Sequence, residues 1–99
     1  MNDLISQLKK YALEDYPIPL VTKFLNEYKL PTQELKDYLH FKDNKYARNL
    51  VYKDKDFEIL IVCWHPEQIA PIHGHEGEKC WMRVEVGSLN ICNYKLESI

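Results

Sequence analysis

The hydrophobic period of this 99-residue chain changes once, just after His40, and that switch limits the possible folds more than any other feature. Before it the spacing is helical. Leu4, Ile5, Leu8 and Ala12 share one face of a first helix, with Lys9, Lys10 and Glu14 towards the other. Tyr16-Pro17-Ile18-Pro19 breaks that helix, because proline lacks the amide donor and restricts its predecessor. Leu20, Val21, Phe24, Leu25 and Tyr28 form the stripe of a second helix, which Pro31 stops. Thr32 is placed to cap a short third helix through Leu35, Tyr38 and Leu39.

After His40 the period is two. Tyr46, Arg48, Leu50 and Tyr52 alternate with Ala47, Asn49, Val51 and Lys53. Asp54-Lys55-Asp56 is turn chemistry, and residues 57–64 form an almost wholly apolar strand expected to be covered on both faces. Residues 81–86 read as another strand, Gly87-Ser88 as a hairpin turn and residues 89–94 as the return, with a fifth short strand at 69–72. Helices followed by antiparallel strands give an α+β fold, with the helical arm packed on the sheet. The expected organisation is a single domain over 1–99, with the arm at 1–40 and the sheet at 45–99. An open sheet edge after 89–94 invites pairing with a second chain.

Composition removes several function classes. Thirteen basic residues against 15 acidic ones leave a net charge of −2, which does not suit nucleic acid as the main partner. No apolar run approaches the roughly 18 residues of a membrane span, and Met1-Asn2-Asp3-Leu4 lacks the order of a signal peptide. Cys63, Cys80 and Cys92 are odd in number and show no CxxC spacing, so reduced thiols in the cytoplasm are expected rather than a disulfide scaffold or a zinc knuckle.

The chemistry concentrates in residues 64–80. His73 and His75 are two apart, so an extended backbone turns both imidazoles to one face, where they can share a metal ion. Imidazole pairs suit iron, zinc, copper and nickel. A strand ends just before the pair, Pro71 stiffens the approach, and the spacing continues as H-x-H-x₄-Cys-x₆-Gly through Cys80 and Gly87.

This spacing resembles the first motif of the cupin superfamily, with Cys80 at the position of its metal-binding glutamate and Glu67 at the position of its initial glycine. The cysteine points to the thiol dioxygenases, and to the cysteine dioxygenase family among them. Tyr46-Ala47-Arg48-Asn49-Leu50 resembles that family's YxRNL segment, Cys63-Trp64 its CW pair and Pro71-Ile72-His73-Gly74-His75 its metal motif. These matches span residues 46–89.

The resemblance implies part of a cupin (jelly-roll) barrel. It implies that His73 and His75 are two of three histidine ligands to non-haem Fe²⁺. Arg48 would hold the substrate carboxylate, Tyr46 would support it, and Trp64 would line or brace the pocket. Cys80 would form a thioether with a tyrosine later in the fold. The implied reaction takes L-cysteine and O₂ to cysteine sulfinic acid. Three neutral imidazoles leave the iron charge uncompensated, so a substrate thiolate can supply the missing negative charge.

Two features depart from the family pattern. Only His40 and His65 remain outside the pair, and neither lies in a second cupin motif. Tyr94 is the one tyrosine after Cys80, on the expected return strand. The expectation is therefore the N-terminal half of such a protein, with an incomplete iron site and impaired activity alone. Two other readings compete. One is a dioxygenase of another small thiol such as 3-mercaptopropionate, against which Arg48 weighs, because members acting on that substrate tend to lack this arginine. The other is a non-enzymatic small cupin that binds metal or mediates oligomerisation.

Overall fold

Proline and local hydrogen bonding set the limits of the helices. The computed structural model describes residues 1–71 and 79–91. The first helix, α1, runs Asn2–Ala12. It closes before the proline pair, with Asp15 N donating to the Ala12 carbonyl and Tyr16 N to that of Tyr11. This is a Schellman pairing. Asp15 stands in the left-handed conformation that glycine usually takes there, at φ 54°. The second helix, α2, runs Ile18–Glu27 with Pro17 as its N-cap and Pro19 in its first turn, where a missing amide costs little. The third, α3, is Thr32–Leu35, continued by a 3₁₀ turn at Lys36–Tyr38. Its N-cap is Pro31, so the expected Thr32 cap is displaced by one residue and makes no side-chain capping bond.

Strand β1 (Ala47–Lys53) pairs antiparallel with β2 (Glu58–Cys63). The turn between them is the expected one. Asp54 Oδ1 accepts from the amides of Asp56 and Phe57, and Asp54 N donates to the Phe57 carbonyl. The register runs Ala47 to Cys63, Arg48 to Val62, Asn49 to Ile61 and Leu50 to Leu60, then shifts so that Tyr52 faces Ile59. This bulge at Val51 corrects the strict alternation read from sequence. Tyr52 leaves the face of Arg48 and joins that of Ile59, Ile61 and Cys63.

The bulge face carries the helical arm. Cys63 Sγ donates to the Tyr38 carbonyl at 3.6 Å, Asn49 Nδ2 donates to the His40 carbonyl at 3.1 Å, and the Lys9 ammonium lies 5.4 Å from the Tyr52 ring centre. Leu4, Val21, Leu35, Ala47 and Cys63 are buried, one from each helix and strand. Tyr11 meets Phe24 edge to face between α1 and α2, and the Tyr28 hydroxyl donates to Asp3 at 2.8 Å. The other sheet face is open. Leu50 is 53% and Val62 39% exposed, so the apolar strand is not covered on both faces among the described residues.

The expected strand at 81–86 does not form a ladder among the described residues. Trp81 and Arg83 bond α2 and its C-cap instead, and the preceding Lys79 bonds the turn before that helix. Lys79 Nζ donates to the carbonyls of Asp15 and Tyr16, Trp81 Nε1 to Thr22 Oγ1 at 3.0 Å, and Arg83 to the carbonyls of Leu25 and Tyr28. The last carbonyls of a helix have no partner within it, so a guanidinium there satisfies acceptors that a neighbouring strand could not reach. Gly87 does adopt the positive φ expected of the turn, at 79°, with no paired strand on either side among the described residues. The expected strand at 69–72 is likewise not formed at 69–71, and its last residue, Ile72, lies outside the described residues.

Candidate functional site

The open sheet face and the chain leaving β2 enclose a cleft. Tyr46 and Arg48, two apart along extended backbone, project from the face opposite the helical arm. Extending the register by one residue sets Trp64 opposite Tyr46. Their rings stack with centres 4.3 Å apart and planes at 16°, which fixes the tyrosine from behind. Beyond Trp64 the chain turns through Glu67, at φ 72°, and closes on itself. His65 N donates to Gln68 Oε1 at 2.8 Å, and Gln68 N to the His65 carbonyl at 3.2 Å. The same Gln68 donates through Nε2 to the Lys42 carbonyl at 2.8 Å, and Phe41 packs on the His65 ring at 4.9 Å. These contacts tie the loop before β1 to the segment after β2.

Between them lies a space of about 460 Å³, lined by Lys42, Lys45, Tyr46, Arg48, Ile69 and Pro71. Arg48 is 59% exposed. Its Nη2 lies 3.9 Å from Glu58 Oε1, an ion pair too long to be a hydrogen bond. The guanidinium therefore keeps its donors available for a planar anion.

Tyr46 and Arg48 thus line one cleft, with Trp64 stacked on Tyr46. His73 and His75 lie outside the described residues, as do Cys92 and Tyr94. Pro71, two residues before His73, lies on the cleft wall. Cys80 is an exposed free thiol and Cys63 a buried one. Cys80 is not among the lining residues, and its neighbours Lys79 and Trp81 are held on the helical arm. His40 bonds the Asp37 carbonyl, and His65 is occupied by Phe41. Among the described residues no three His, Cys, Asp or Glu side chains cluster as a metal site.

Lys42, Lys45 and Gln68 carry no site signal of their own in the sequence, where 42–45 reads as a solvated loop, and Ile69 enters only as the start of the expected strand at 69–72. Lys42, Lys45 and Ile69 are exposed and line the cleft, and the half-buried Gln68 fastens the lysine loop beside it. The signal for the lysines was their position just upstream of Tyr46 and Arg48.

Fold and cleft define an α+β protein with an exposed guanidinium and a ring-stacked phenol on one wall of an open cleft. Comparison with known proteins is more specific. A family model described as cysteine dioxygenase type I matches residues 1–97, and the chain belongs to that family. It is 29% identical over 91 residues to the cysteine dioxygenase type 1 of Bos taurus, 28% to that of Homo sapiens and 29% to that of Rattus norvegicus. Each alignment covers 90% of this chain and 46% of the relative, so the chain spans about half the length of the curated relatives it matches. No solved structure matches it significantly. The family match takes in the helical arm as well as the motif region at 46–89. Among the described residues no helix is long and apolar enough to cross a membrane.

Proposed function

We propose that this chain carries the substrate-binding and part of the iron-binding machinery of a thiol dioxygenase that converts L-cysteine and O₂ to cysteine sulfinic acid. Residues 1–40 act as the arm, and 45–99 as part of the barrel, of one cupin-like domain. The observation that supports this most is the placement of Arg48 and Tyr46 on one strand face. The wall of their cleft reaches Pro71, just before the His73–His75 pair.

The donor chemistry fits ferrous iron. Two imidazoles alternate on one short stretch, and imidazole is a suitable ligand for that ion. His73 and His75 would hold it. Iron, when bound, supplies positions at which a thiolate and O₂ can meet. Arg48 binds the substrate carboxylate through paired N–H donors, a planar match that lysine lacks. Tyr46, fixed by the Trp64 stack, supports that carboxylate from the same face. Anchoring the far end of so small a molecule restricts its thiol to one orientation. Cys80, exposed and unpaired with another cysteine, is available for the thioether that the family resemblance implies.

The test is sulfinate formation by the 99-residue chain with Fe²⁺, L-cysteine and O₂, read by mass spectrometry. Two histidines alone hold iron less firmly than three, so turnover is expected to be slight. It should nevertheless exceed that of free iron, and fall to that baseline in Arg48→Gln and in the His73→Ala/His75→Ala double variant. Product formation equal in wild type and double variant would contradict the proposal.

A further inference from the structure

The described lining of the cleft holds more positive charge than one carboxylate requires. Beside Arg48, Lys42 and Lys45 line the same space, and no carboxylate side chain stands among its described lining residues. Among the described residues Arg48 pairs with Glu58, at 3.9 Å and 44% exposed. Asp43 lies on the lysine loop but does not line the cleft. The lysines are not on a loose flap. Gln68 bonds the Lys42 carbonyl and its own turn at once, and Phe41 closes on His65. The remaining described lining residues, Ile69 and Pro71, carry apolar side chains.

From this we infer that Lys42 and Lys45 form a second anion subsite at the mouth of the Arg48 cleft, selecting small carboxylates that carry net negative charge. The inference rests on the proposed role of Arg48 as carboxylate anchor and adds a substrate class to it. A zwitterion offers this mouth an ammonium as well as a carboxylate, so attraction and repulsion largely cancel. A monoanion keeps the attraction, and a dianion can engage Arg48 and the lysines together. The thiolate form of cysteine is itself a net monoanion, so the same field favours that form over the neutral thiol. Charges this exposed act through solvent, which makes the preference modest and dependent on salt.

The test uses the metal-free 99-residue chain and redox-inert probes, so it does not depend on turnover. Succinate, propionate and L-alanine are titrated separately and followed by backbone amide shifts. At an ionic strength of about 20 mM, succinate should bind about tenfold more tightly than alanine, with propionate between. Raising the salt to about 0.5 M should compress the series to within about twofold. Lys42→Gln/Lys45→Gln should abolish the order, whereas Lys55→Gln, on the hairpin turn away from the cleft, should preserve it. Circular dichroism verifies that the variants fold. Lys42→Glu/Lys45→Glu should reverse the order.

Equal affinity for the three probes in wild type would overturn the subsite. So would an unchanged order in Lys42→Gln/Lys45→Gln. If Arg48→Gln still weakens all three probes in that case, the carboxylate anchor stands without the subsite. If the order depends on the lysines but Arg48→Gln has no effect, the subsite stands and the anchor fails.

Discussion

The contact between Arg48 and Glu58 gives the sharpest prediction. If Arg48 binds a carboxylate, the Glu58 carboxylate competes for it, and Glu58→Gln should tighten ligand binding. The two groups lie 3.9 Å apart, with side chains 59% and 44% exposed. Unit charges at about 4 Å attract by ~1 kcal/mol in water, and measured exposed pairs contribute ~0.2–1 kcal/mol. At such exposure about 0.5 kcal/mol is reasonable, which frees Arg48 for a two- to threefold gain in propionate affinity. Arg48→Gln removes charge-assisted hydrogen bonds. Such bonds contribute ~1.5–3 kcal/mol, and an open cleft places the loss near the lower figure, about tenfold in affinity. Amide-shift titrations of the four proteins of this cycle supply the numbers. Glu58→Gln should help only while Arg48 is present. The same gain in the Arg48→Gln background would mean that net charge, not release of the guanidinium, is responsible. No gain at all would refute the competition.

Asn49 ties sheet to arm through the His40 carbonyl at 3.1 Å and Cys63 Sγ at 3.5 Å, so Asn49→Ala should cost about 1 kcal/mol, read from the urea midpoint. Tyr28 is pushed up to about 12, first by burial and then by its bond to Asp3. Its folded value lies above the ordinary 10.0, so its contribution is complete below pH 10.0 and is lost as pH rises through about 12. The partner Asp3 is held below its ordinary 3.8 chiefly by that bond, and its contribution is lost as pH falls below 3.8. Tyr28→Phe should flatten both limbs of a plot of melting temperature against pH. The described sheet has two strands and two open edges, and a lone pair of strands is marginal in water, so sedimentation should show association as concentration rises.

The arm and the hairpin were legible because their signals are local. Pro17, Pro19 and Pro31 set the helix boundaries to within a residue or two, and Asp54 makes the turn by its own side-chain bonds. The Arg48 face was also legible, because strand alternation alone places it with Tyr46. The bulge at Val51 was not, since nothing in a Leu-Val-Tyr run marks an extra residue. The placement of residues 79–85 was missed for a related reason. Alternation shows that Trp81 and Arg83 share a side, but it cannot say whether that side meets a strand or the carbonyl end of α2. Lys42 and Lys45 look like any solvated loop until Gln68, 26 residues from Lys42, fastens that loop beside the cleft.

In the proposed function one small molecule is held by Arg48 at its carboxylate while iron is held by His73 and His75. Anaerobic titration calorimetry of Fe²⁺ into the chain, with and without L-cysteine, tests both ends together. Binding should tighten when L-cysteine is present, because two ligands that share a contact favour each other reciprocally. Arg48→Gln should abolish that tightening, and His73→Ala/His75→Ala should abolish binding itself. Iron bound equally well by the histidine double variant, or a cysteine effect indifferent to Arg48, would contradict the account.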